Sequence, residues 1–312
     1  MKVLIVCRYK HNFVANITPF VTEQGNFVAK LGVEVAYFVI EGNGLWAYIK
    51  NVAKLKKKIK DFNPNVLHAH YGLSGLTAVL QRKIPVVVTF HNGETLSVLS
   101  NIISSFASLF AKHRIYVAQH IYDLCYFKKN TNYTILPCGV DVNVVEKDRN
   151  ELRRSLGFSS NKKYILFGGA FLNLRKNYPL LQQALKLLKY DNIEVFEMRG
   201  LNREQITNLM YACDLFALPT KSEGSPQALK EAMVCNCPIV ATDVADIKYL
   251  LGDIMGHYIC TFEPENVADK IVEALNFDKR TSGYQRIIEL GYDCETVAKK
   301  ILEIYNKVIA RK

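Results

Sequence analysis

The chain has 312 residues, which is longer than one ordinary hydrophobic core needs and suits two domains. Hydrophobic residues make up 49% of it and charged residues 22%, which excludes a disordered or fibrous protein. The net charge of +11 is unevenly distributed: residues 1–150 hold 18 Lys and Arg against 9 Asp and Glu (net +9), and the remainder holds 22 against 20 (net +2). The first half is therefore expected to face an anionic partner or surface. An ordinary solvated surface is the alternative.

Targeting and redox signals are weak. The first ten residues carry only a short apolar run, and no segment is long enough to span a membrane, so a cytoplasmic protein is expected. The eight cysteines lie in apolar segments without a CxxC pair, which predicts reduced, buried thiols. No zinc-finger, RNP or basic-helix signature is present, so nucleic acid is not an expected partner.

Strands and helices alternate through the first half. Short apolar runs are followed by segments with helical spacing, and this order predicts parallel βαβ units and a doubly wound sheet. The predicted strands are KVLIVC, VEVAYFVI, NVLHAH, PVVVTF, RIYVA and YTILP, and helices are predicted near residues 20–31, 45–62, 74–82 and 99–112.

A second series follows the charged stretch EKDRNELRRSLGFSSNKK, with strands YILFGGA, IEVFEM, DLFALPT and PIVATDV. The sequence therefore predicts an α/β protein with two Rossmann-like, doubly wound parallel-sheet domains, residues 1–148 and 149–312, whose loops surround a shared cleft. The last segment is one amphipathic helix, and it is expected to pack either on its own domain or back on the first. Its apolar face comprises Val297, Ile301, Ile304, Tyr305 and Val308.

The segment 45–62, LWAYIKNVAKLKKKIKDF, combines an apolar helical face with a lysine cluster. Such a helix can lie on anionic lipid headgroups, so an anionic membrane surface is a candidate partner. A helix that covers the sheet with its polar face in water is the alternative. The apolar face comprises Val52, Leu55, Ile59 and Phe62, and the cluster comprises Lys54, Lys56, Lys57 and Lys58.

The stretch KSEGSPQALKEAMVCNCPIVATDV, residues 221–244, predicts an anion site. Ser225 suits a helix N-cap and Pro226 the first helical position. The free amides of the first turn and the helix dipole then favour a phosphate, which the small Gly224 lets approach closely.

Two glutamates flank this predicted anion site. With 100° per residue, Gln227, Lys230 and Glu231 face away from the core, and Glu231 lies about 7–8 Å along the helix from Pro226. A carboxylate there can accept hydrogen bonds from a ribose, and Glu223 in the loop can do so from another polyol. A loop glutamate beside a solvated helix face is the alternative, since this spacing is common.

EGSPQALKEAM followed by NCPIVATDV closely resembles the signature of the family-4 retaining glycosyltransferases. ITPFVTEQGNFVAKLGVEVAYF, VLHAHYGLSG, VVVTFHNGE and ILPCGVD resemble further segments of that family in the same order, so the similarity spans nearly the whole chain. The resemblance implies the GT-B fold. It also implies that Glu223 contacts the donor sugar, that Glu231 contacts the nucleotide ribose, and that the backbone of Gly224, Ser225, Pro226, Gln227 and Ala228 holds the diphosphate.

The resemblance assigns two cations to the departing diphosphate, an early Arg and a Lys before a Gly. Lys176 matches the lysine, whereas Ala170 stands at the Arg position and Asn177 replaces the Gly. Arg175 can substitute for the missing Arg, because a leaving diphosphate gains charge and needs stabilisation. Without the resemblance, an Arg-Lys pair in a loop is more typical of a solvated surface.

Histidines mark the strand ends of the first domain. The resemblance places His91 beside the donor sugar as a catalytic residue, whereas a lone histidine there is more often structural. Glu94 and His70 are weaker candidates for the acceptor side. His68 and His70 alternate onto one face, but without a third ligand no metal site is predicted, and no Asp-x-Asp pair is present.

The sequence predicts a metal-independent retaining glycosyltransferase without a cofactor. It moves a sugar from a nucleotide-sugar donor to a hydroxyl of a glycan or lipid-linked glycan, in cell-surface polysaccharide synthesis. No carboxylate pair suited to double displacement is evident, so the resemblance implies a front-face route. The alternatives are a sugar-nucleotide epimerase or glycan phosphorylase on the same fold, and a non-enzymatic basic binding protein.

Overall fold

A computed structural model describes residues 1–9, 16–144, 147–188 and 192–310. The chain forms two compact units, one of Met1–Gly139 with Cys294–Lys312 and one of Val140–Asp293. The boundary thus lies before the 148/149 position that the sequence suggests. Val140 and Asp293 form a parallel bridge, so the chain enters and leaves the second unit at neighbouring positions. The last helix of the chain therefore belongs to the first unit.

The first unit is built on a six-stranded parallel sheet with the order β2-β1-β3-β4-β5-β6. The chain adds β2 on one side of β1 and β3 on the other, which is the doubly wound arrangement. The strands are β1 Lys2–Arg8, β2 Glu34–Ile40, β3 Val66–His70, β4 Val86–Phe90, β5 His113–Tyr116 and β6 Tyr133–Ile135. The helices are α1 Pro19–Lys30, α2 Gly44–Phe62, α3 Gly72–Val79, α4 Val98–Ser108 and α5 Gln119–Leu124.

The second unit has a five-stranded parallel sheet with the order β11-β10-β9-β7-β8. Two parallel Rossmann-like sheets confirm the predicted fold class. The strands are β7 Lys163–Phe167, β8 Ile193–Glu197, β9 Leu215–Leu218, β10 Ile239–Thr242 and β11 His257–Cys260. The helices are α6 Arg149–Ser155, α7 Tyr178–Leu187, α8 Arg203–Ala212, α9 Gln227–Val234, α10 Ile247–Leu251, α11 Pro264–Phe277 and α12 Gly283–Leu290.

The last helix, α13 (Cys294–Ala310), completes the core of the first unit. Its predicted apolar face is buried beside β1 and α1, in one cluster with Val3, Ile5 and Val21. The hydroxyl of Tyr305 also lies 2.6 Å from His68 Nδ1 on β3. The helix is therefore tied to the sheet by apolar packing and by a buried polar contact.

The basic helix α2 packs as an ordinary sheet-covering helix over most of its length. Leu55 and Ile59 are buried, whereas Lys54, Lys56 and Lys57 point into solvent. The middle of its apolar face is therefore not available to a membrane. Among the described helices, none is both long and apolar enough to cross a bilayer. All eight cysteines are buried and free, as the sequence predicts.

Candidate functional site

The predicted donor residues of the second unit lie in two adjoining loops. β7 and β9 are neighbours in the sheet, although the chain visits β8 on the other side of β7 between them. Loops that follow strands at such a switch point diverge and leave room for a ligand. The backbone N–H of Lys221 and the hydroxyl of Thr220 both donate to the carbonyl of Arg175, at 2.9 and 3.1 Å. These bonds tie the loop after β9 to the loop after β7.

Lys176 and Glu223 form an ion pair between these loops, with 2.7 Å from Nζ to Oε1. Their side chains are only 14% and 10% exposed, so the pair is largely shielded from water. The lysine stem lies on the backbone of Gly169, where an added Cβ would come within 2.7 Å of it. The sequence predicts both residues for the donor site, and the structure shows that they contact each other.

Asn177 explains how the loop accommodates a departure from the family pattern. Its φ is +61°, in the left-handed region that glycine favours and asparagine tolerates. The replacement of the family glycine therefore leaves the backbone path after Lys176 intact. Arg175 differs from its neighbour, because it is exposed while the Lys176 side chain is largely buried. Whether Arg175 takes the place of the missing arginine at Ala170 stays a prediction.

The start of α9 differs from the prediction at one residue. Ser225 is not the N-cap: the helix begins at Gln227 with Pro226 at the N-cap, and no side chain caps it. Pro226 takes an extended conformation (φ −69°, ψ 116°) that moves the helix start one residue on. The first amides of the helix therefore lack intrahelical acceptors. The Ser225 hydroxyl is buried and lies beside the Asp246 carboxyl, with which it interacts.

Lys230 corrects a second expectation. It does not face solvent with Gln227 and Glu231 but is fully buried. Burial raises the pKa of Asp246 to about 6, while a hydrogen bond with the Ser225 side chain and the charge of Lys230 oppose the shift. The negative charge of Glu223 acts in the same direction as burial, so Asp246 belongs to the same charged cluster. The sequence pattern predicts no carboxylate pair here and gives no sign that Asp246 lies near Glu223.

A local signal could have drawn attention to Asp246. It follows the carboxyl end of β10, the strand next to β9, where ligand-binding loops cluster in such sheets. The preceding residue, Ala245, has φ +57°, a left-handed conformation that is uncommon for alanine. Such backbone conformations concentrate at functional sites.

Glu231 is accessible to a ligand. Its side chain is 27% exposed on the first turns of α9, and Arg203 Nη2 lies 3.8 Å from its carboxylate. A pair at this distance between partly exposed groups is weak. The carboxylate can therefore exchange this partner for hydroxyl groups of a bound ligand.

The first unit contains a separate cluster of three histidines. His68 and His70 at the end of β3 stack with 4.5 Å between ring centroids. His70 Nδ1 lies 3.0 Å from His91 Nε2, just after β4. His68 is held by Tyr305 on one ring nitrogen and by Thr89, at 2.7 Å, on the other. The cluster therefore runs from α13 to the loop after β4.

The ring of His91 is fixed on both nitrogens. His70 contacts Nε2, and Cys138 Sγ lies 3.7 Å from Nδ1. The rings of Phe20 and Tyr71 lie 4.9 and 4.8 Å from it, centroid to centroid. Any role of His91 toward a sugar therefore uses its backbone or ring face, or requires one of these contacts to break.

Glu94 and His70, the acceptor-side candidates, are both buried. The carboxylate of Glu94 accepts the backbone N–H of Gly72 at 2.8 Å and that of His91 at 3.2 Å. Burial raises the pKa of Glu94 to about 6, while these backbone donors oppose the shift. Glu94 thus joins the loop after β4 to the start of α3, which favours a positioning role over direct contact with an acceptor.

Histidine burial predicts a pH effect on stability. Burial lowers the pKa of His70 to about 3, whereas a histidine in the unfolded chain titrates near 6.5. Above pH 6.5 the ring is neutral in both states. Below it the unfolded chain takes up a proton that the folded chain refuses, so the free energy of unfolding falls by about 1.4 kcal/mol per pH unit. This contribution is present above pH 6.5 and is lost as the pH falls toward 3.

We expect His70→Phe to remove this slope. Urea unfolding at pH 7.5, 6.5, 5.5 and 4.5 should show a dependence shallower than that of the wild type by about one proton. The comparison concerns slopes, so the loss of the contact with His91 does not affect it. Parallel pH profiles would show that His70 is not neutral in the folded protein.

Within the part of the chain that the structure describes, no group of three or more His, Cys, Asp or Glu is arranged to hold a metal ion. The predicted independence of metals stays a prediction.

The two parallel Rossmann-like sheets have the architecture of the GT-B fold. Two family models match the chain, Glycosyltransferase Family 4 over residues 13–144 and Glycosyl transferases group 1 over residues 164–276. The chain belongs to glycosyltransferase family 4.

Known relatives and structures agree with this assignment. TuaC of Bacillus subtilis, whose name assigns it to teichuronic acid biosynthesis as a glycosyltransferase, is 24% identical over 272 residues, 77% of this chain and 68% of its own. An N-acetylgalactosaminyltransferase of Campylobacter jejuni, named for a diphospho-undecaprenol-linked substrate, is 28% identical over 111 residues, 34% of this chain and 30% of its own.

Two solved structures share the fold. Sucrose-phosphate synthase from Thermosynechococcus elongatus has a TM-score of 0.84 at 16% identity and covers 100% of this chain and 99% of its own. HepE from Anabaena, solved with UDP and glucose, has a TM-score of 0.75 at 16% identity and covers 98% of this chain and 100% of its own.

Proposed function

We propose that this glycosyltransferase moves a sugar from a nucleotide-sugar to a hydroxyl of a lipid-linked glycan, with retained configuration and without a metal. The observation that carries the proposal is the shielded Lys176–Glu223 pair beside the start of α9. It places a cation and a carboxylate of two adjoining loops beside the backbone amides of a helix start.

The diphosphate has several donors in this arrangement. The first amides of α9 and the positive end of its dipole favour an anion. Lys176 is the cation that gains most from a leaving diphosphate, because charge accumulates there in the transition state. These groups would together take the part that a divalent metal plays in other transferases.

The two glutamates have different tasks in this proposal. Glu223, held by Lys176, accepts hydrogen bonds from the donor sugar, whereas Glu231 accepts them from the ribose. Since Glu223 is already paired with a cation, it is a weak nucleophile, which favours front-face transfer over a covalent sugar intermediate. The acceptor hydroxyl then attacks on the side that the diphosphate leaves, and its proton passes to the diphosphate.

The names of two relatives support a lipid-linked glycan as the acceptor. The name of TuaC points to a cell-surface polysaccharide, and that of the Campylobacter enzyme to a sugar carried on diphospho-undecaprenol. HepE is solved with UDP and glucose. We therefore propose a nucleotide-sugar donor and a lipid-linked glycan acceptor. Membership of family 4 disfavours an epimerase, a phosphorylase and a non-enzymatic binding protein.

A thermal-shift screen tests the donor proposal. UDP, GDP, ADP and their sugars should be compared, because a ligand that binds only the folded chain raises its stability, by about 2.7 kcal/mol at roughly 100 times its Kd. We expect one nucleotide series to raise the unfolding temperature by several degrees. The absence of a shift with every nucleotide would count against a nucleotide-sugar donor.

A further inference from the structure

Helix α4 (Val98–Ser108) of the first unit is amphipathic, but its polar side is buried and its apolar side is exposed. Its small polar residues are buried, namely Asn101, Ser104, Ser105 and Ser108. Its large apolar residues and those adjoining it in the chain are exposed, namely Leu96 (56%), Val98 (63%), Leu99 (57%), Ile102 (38%), Phe106 (51%) and Phe110 (67%). Solvent-facing helix surfaces are normally polar.

The buried side of α4 has a packing reason. A Cβ on Gly72 of α3 would come within 2.3 Å of the Ser104 side chain, so the two helices touch closely and only small residues fit between them. This contact explains the serines but not the exposed apolar residues. Those residues need an occupant other than water.

The exposed residues form a row along the helix. Val98, Ile102 and Phe106 follow one another at intervals of four on α4, over about 12 Å at 1.5 Å per residue, and Phe110 continues the row in the turn after the helix. Phe106 also contacts Phe110 and Phe127, with ring centroids 5.6 and 5.7 Å apart. We call this row, with Leu99 and Phe127, the α4 surface.

Cations border the α4 surface. Phe110 lines one shallow pocket together with Arg82, Lys83 and Lys112. Lys129 donates to the carbonyl of Leu109 at 2.8 Å, and Lys128 follows Phe127 directly. Between residues 95 and 130 the only acidic residue is Asp123. The border is therefore strongly positive.

This charge decides between possible occupants. A second copy of the chain would bring one set of lysines against another, which is unfavourable. An anionic lipid surface accepts both features, because apolar side chains enter the boundary between headgroups and acyl chains while lysines meet the phosphates. On α2 the two features are separated, since Leu55 and Ile59 beneath the lysine cluster are buried and the exposed apolar residues, Leu45, Trp46 and Ile49, lie in its first turns.

We infer that the α4 surface docks the protein on an anionic membrane, with the row of apolar side chains in the interface and the lysines at the headgroups. The inference needs no nucleotide or acceptor and stands apart from the donor site. It moves the expected membrane contact from the lysines of α2 to α4.

Vesicle flotation tests the inference with the full chain and no substrate. Vesicles of phosphatidylcholine alone and with 30% phosphatidylglycerol serve as probes. The wild type should float with the anionic vesicles and bind the neutral ones at least about tenfold more weakly. Phe106→Ser with Phe110→Ser should weaken anionic binding by about tenfold or more, and so should Lys128→Glu with Lys129→Glu.

Matched controls separate this surface from others. Met255→Ser with Leu187→Ser removes apolar side chains of the second unit that are 79% and 51% exposed, and it should leave binding unchanged. Lys54→Glu with Lys57→Glu tests α2 and should have an effect several-fold smaller than that of the α4 variants. All these side chains are exposed, and equal unfolding temperatures confirm that the variants fold.

Three results would overturn the inference. The wild type could fail to float with anionic vesicles, or the α4 variants could bind them as the wild type does. The third is a concentration-dependent dimer that Phe106→Ser abolishes in light scattering, which would assign the α4 surface to a second copy of the chain.

Discussion

Lys176→Met should lower turnover at saturating donor by about 10²–10³-fold, the loss typical of removing one preorganised group that stabilises developing charge. The lysine ammonium lies 2.7 Å from Glu223 and is largely shielded from water, so its electrostatic effect is strong. Methionine keeps the length and apolar stem that lie on Gly169 but removes the charge. It also leaves Glu223 without its cation, which adds to the loss.

Arg175→Met is the matched control. Arg175 is the adjacent cation in the same loop, but its side chain is exposed. Because solvent weakens an exposed charge, we expect a loss below about tenfold. A larger loss for Arg175→Met than for Lys176→Met would reverse the proposed roles and make Arg175 the substitute for the family arginine. Nucleoside diphosphate release, measured at several donor concentrations, separates the two results.

Glu231→Gln should weaken the binding of the nucleoside diphosphate by about 10–100-fold, as expected for losing hydrogen bonds of about 1.5–3 kcal/mol to a charged group. The side chain is partly exposed, its pair with Arg203 is long, and glutamine keeps its shape, so we expect the variant to fold. Turnover at saturating donor should change much less than affinity, because the ribose is bound alike before and during transfer. Titration calorimetry with the diphosphate measures the effect.

Glu204→Gln is the control for this variant. Glu204 is an exposed glutamate of α8 beside Arg203, the same arginine that approaches Glu231. We expect normal affinity for the diphosphate. If Glu231→Gln binds as tightly as the wild type does, Glu231 does not contact the ribose and its assignment fails.

Much of the fold follows from local patterns. Apolar runs of four to eight residues alternate with helical spacing in both halves, and each predicted strand appears in one of the two parallel sheets. The buried face of α13 follows from its spacing in the same way. Which unit α13 joins does not follow, because the answer depends on the pairing of Val140 with Asp293, 153 positions apart.

The residues of the proposed donor site follow from the sequence one by one, but the contacts between them do not. A helical wheel places Lys230 opposite the apolar face of α9, and that direction normally means solvent. The loop that carries Asp246 approaches Lys230, and the lysine is buried. The pairing of Lys176 with Glu223 likewise depends on the order of β7 and β9 in the sheet, which spacing within either loop does not contain.

The same limit applies to α4. The segment between Glu94 and Lys112 carries no charged residue, which indicates a buried helix. The structure instead turns its serines inward against Gly72 and its phenylalanines outward. The close approach of α3 decides which side of α4 is buried, and periodicity alone does not reveal this contact between helices.

The most direct test of the proposed donor site is the release of nucleoside diphosphate from nucleotide-sugars by the wild type and by Lys176→Met. UDP-, GDP- and ADP-sugars should be offered with a lipid-linked acceptor, and the released diphosphate measured over time. We predict release from one nucleotide series by the wild type and a loss of about 10²–10³-fold in the folded variant. Equal rates for both proteins, or no release by the wild type from any donor, would contradict the assignment of Lys176 and Glu223 to donor cleavage.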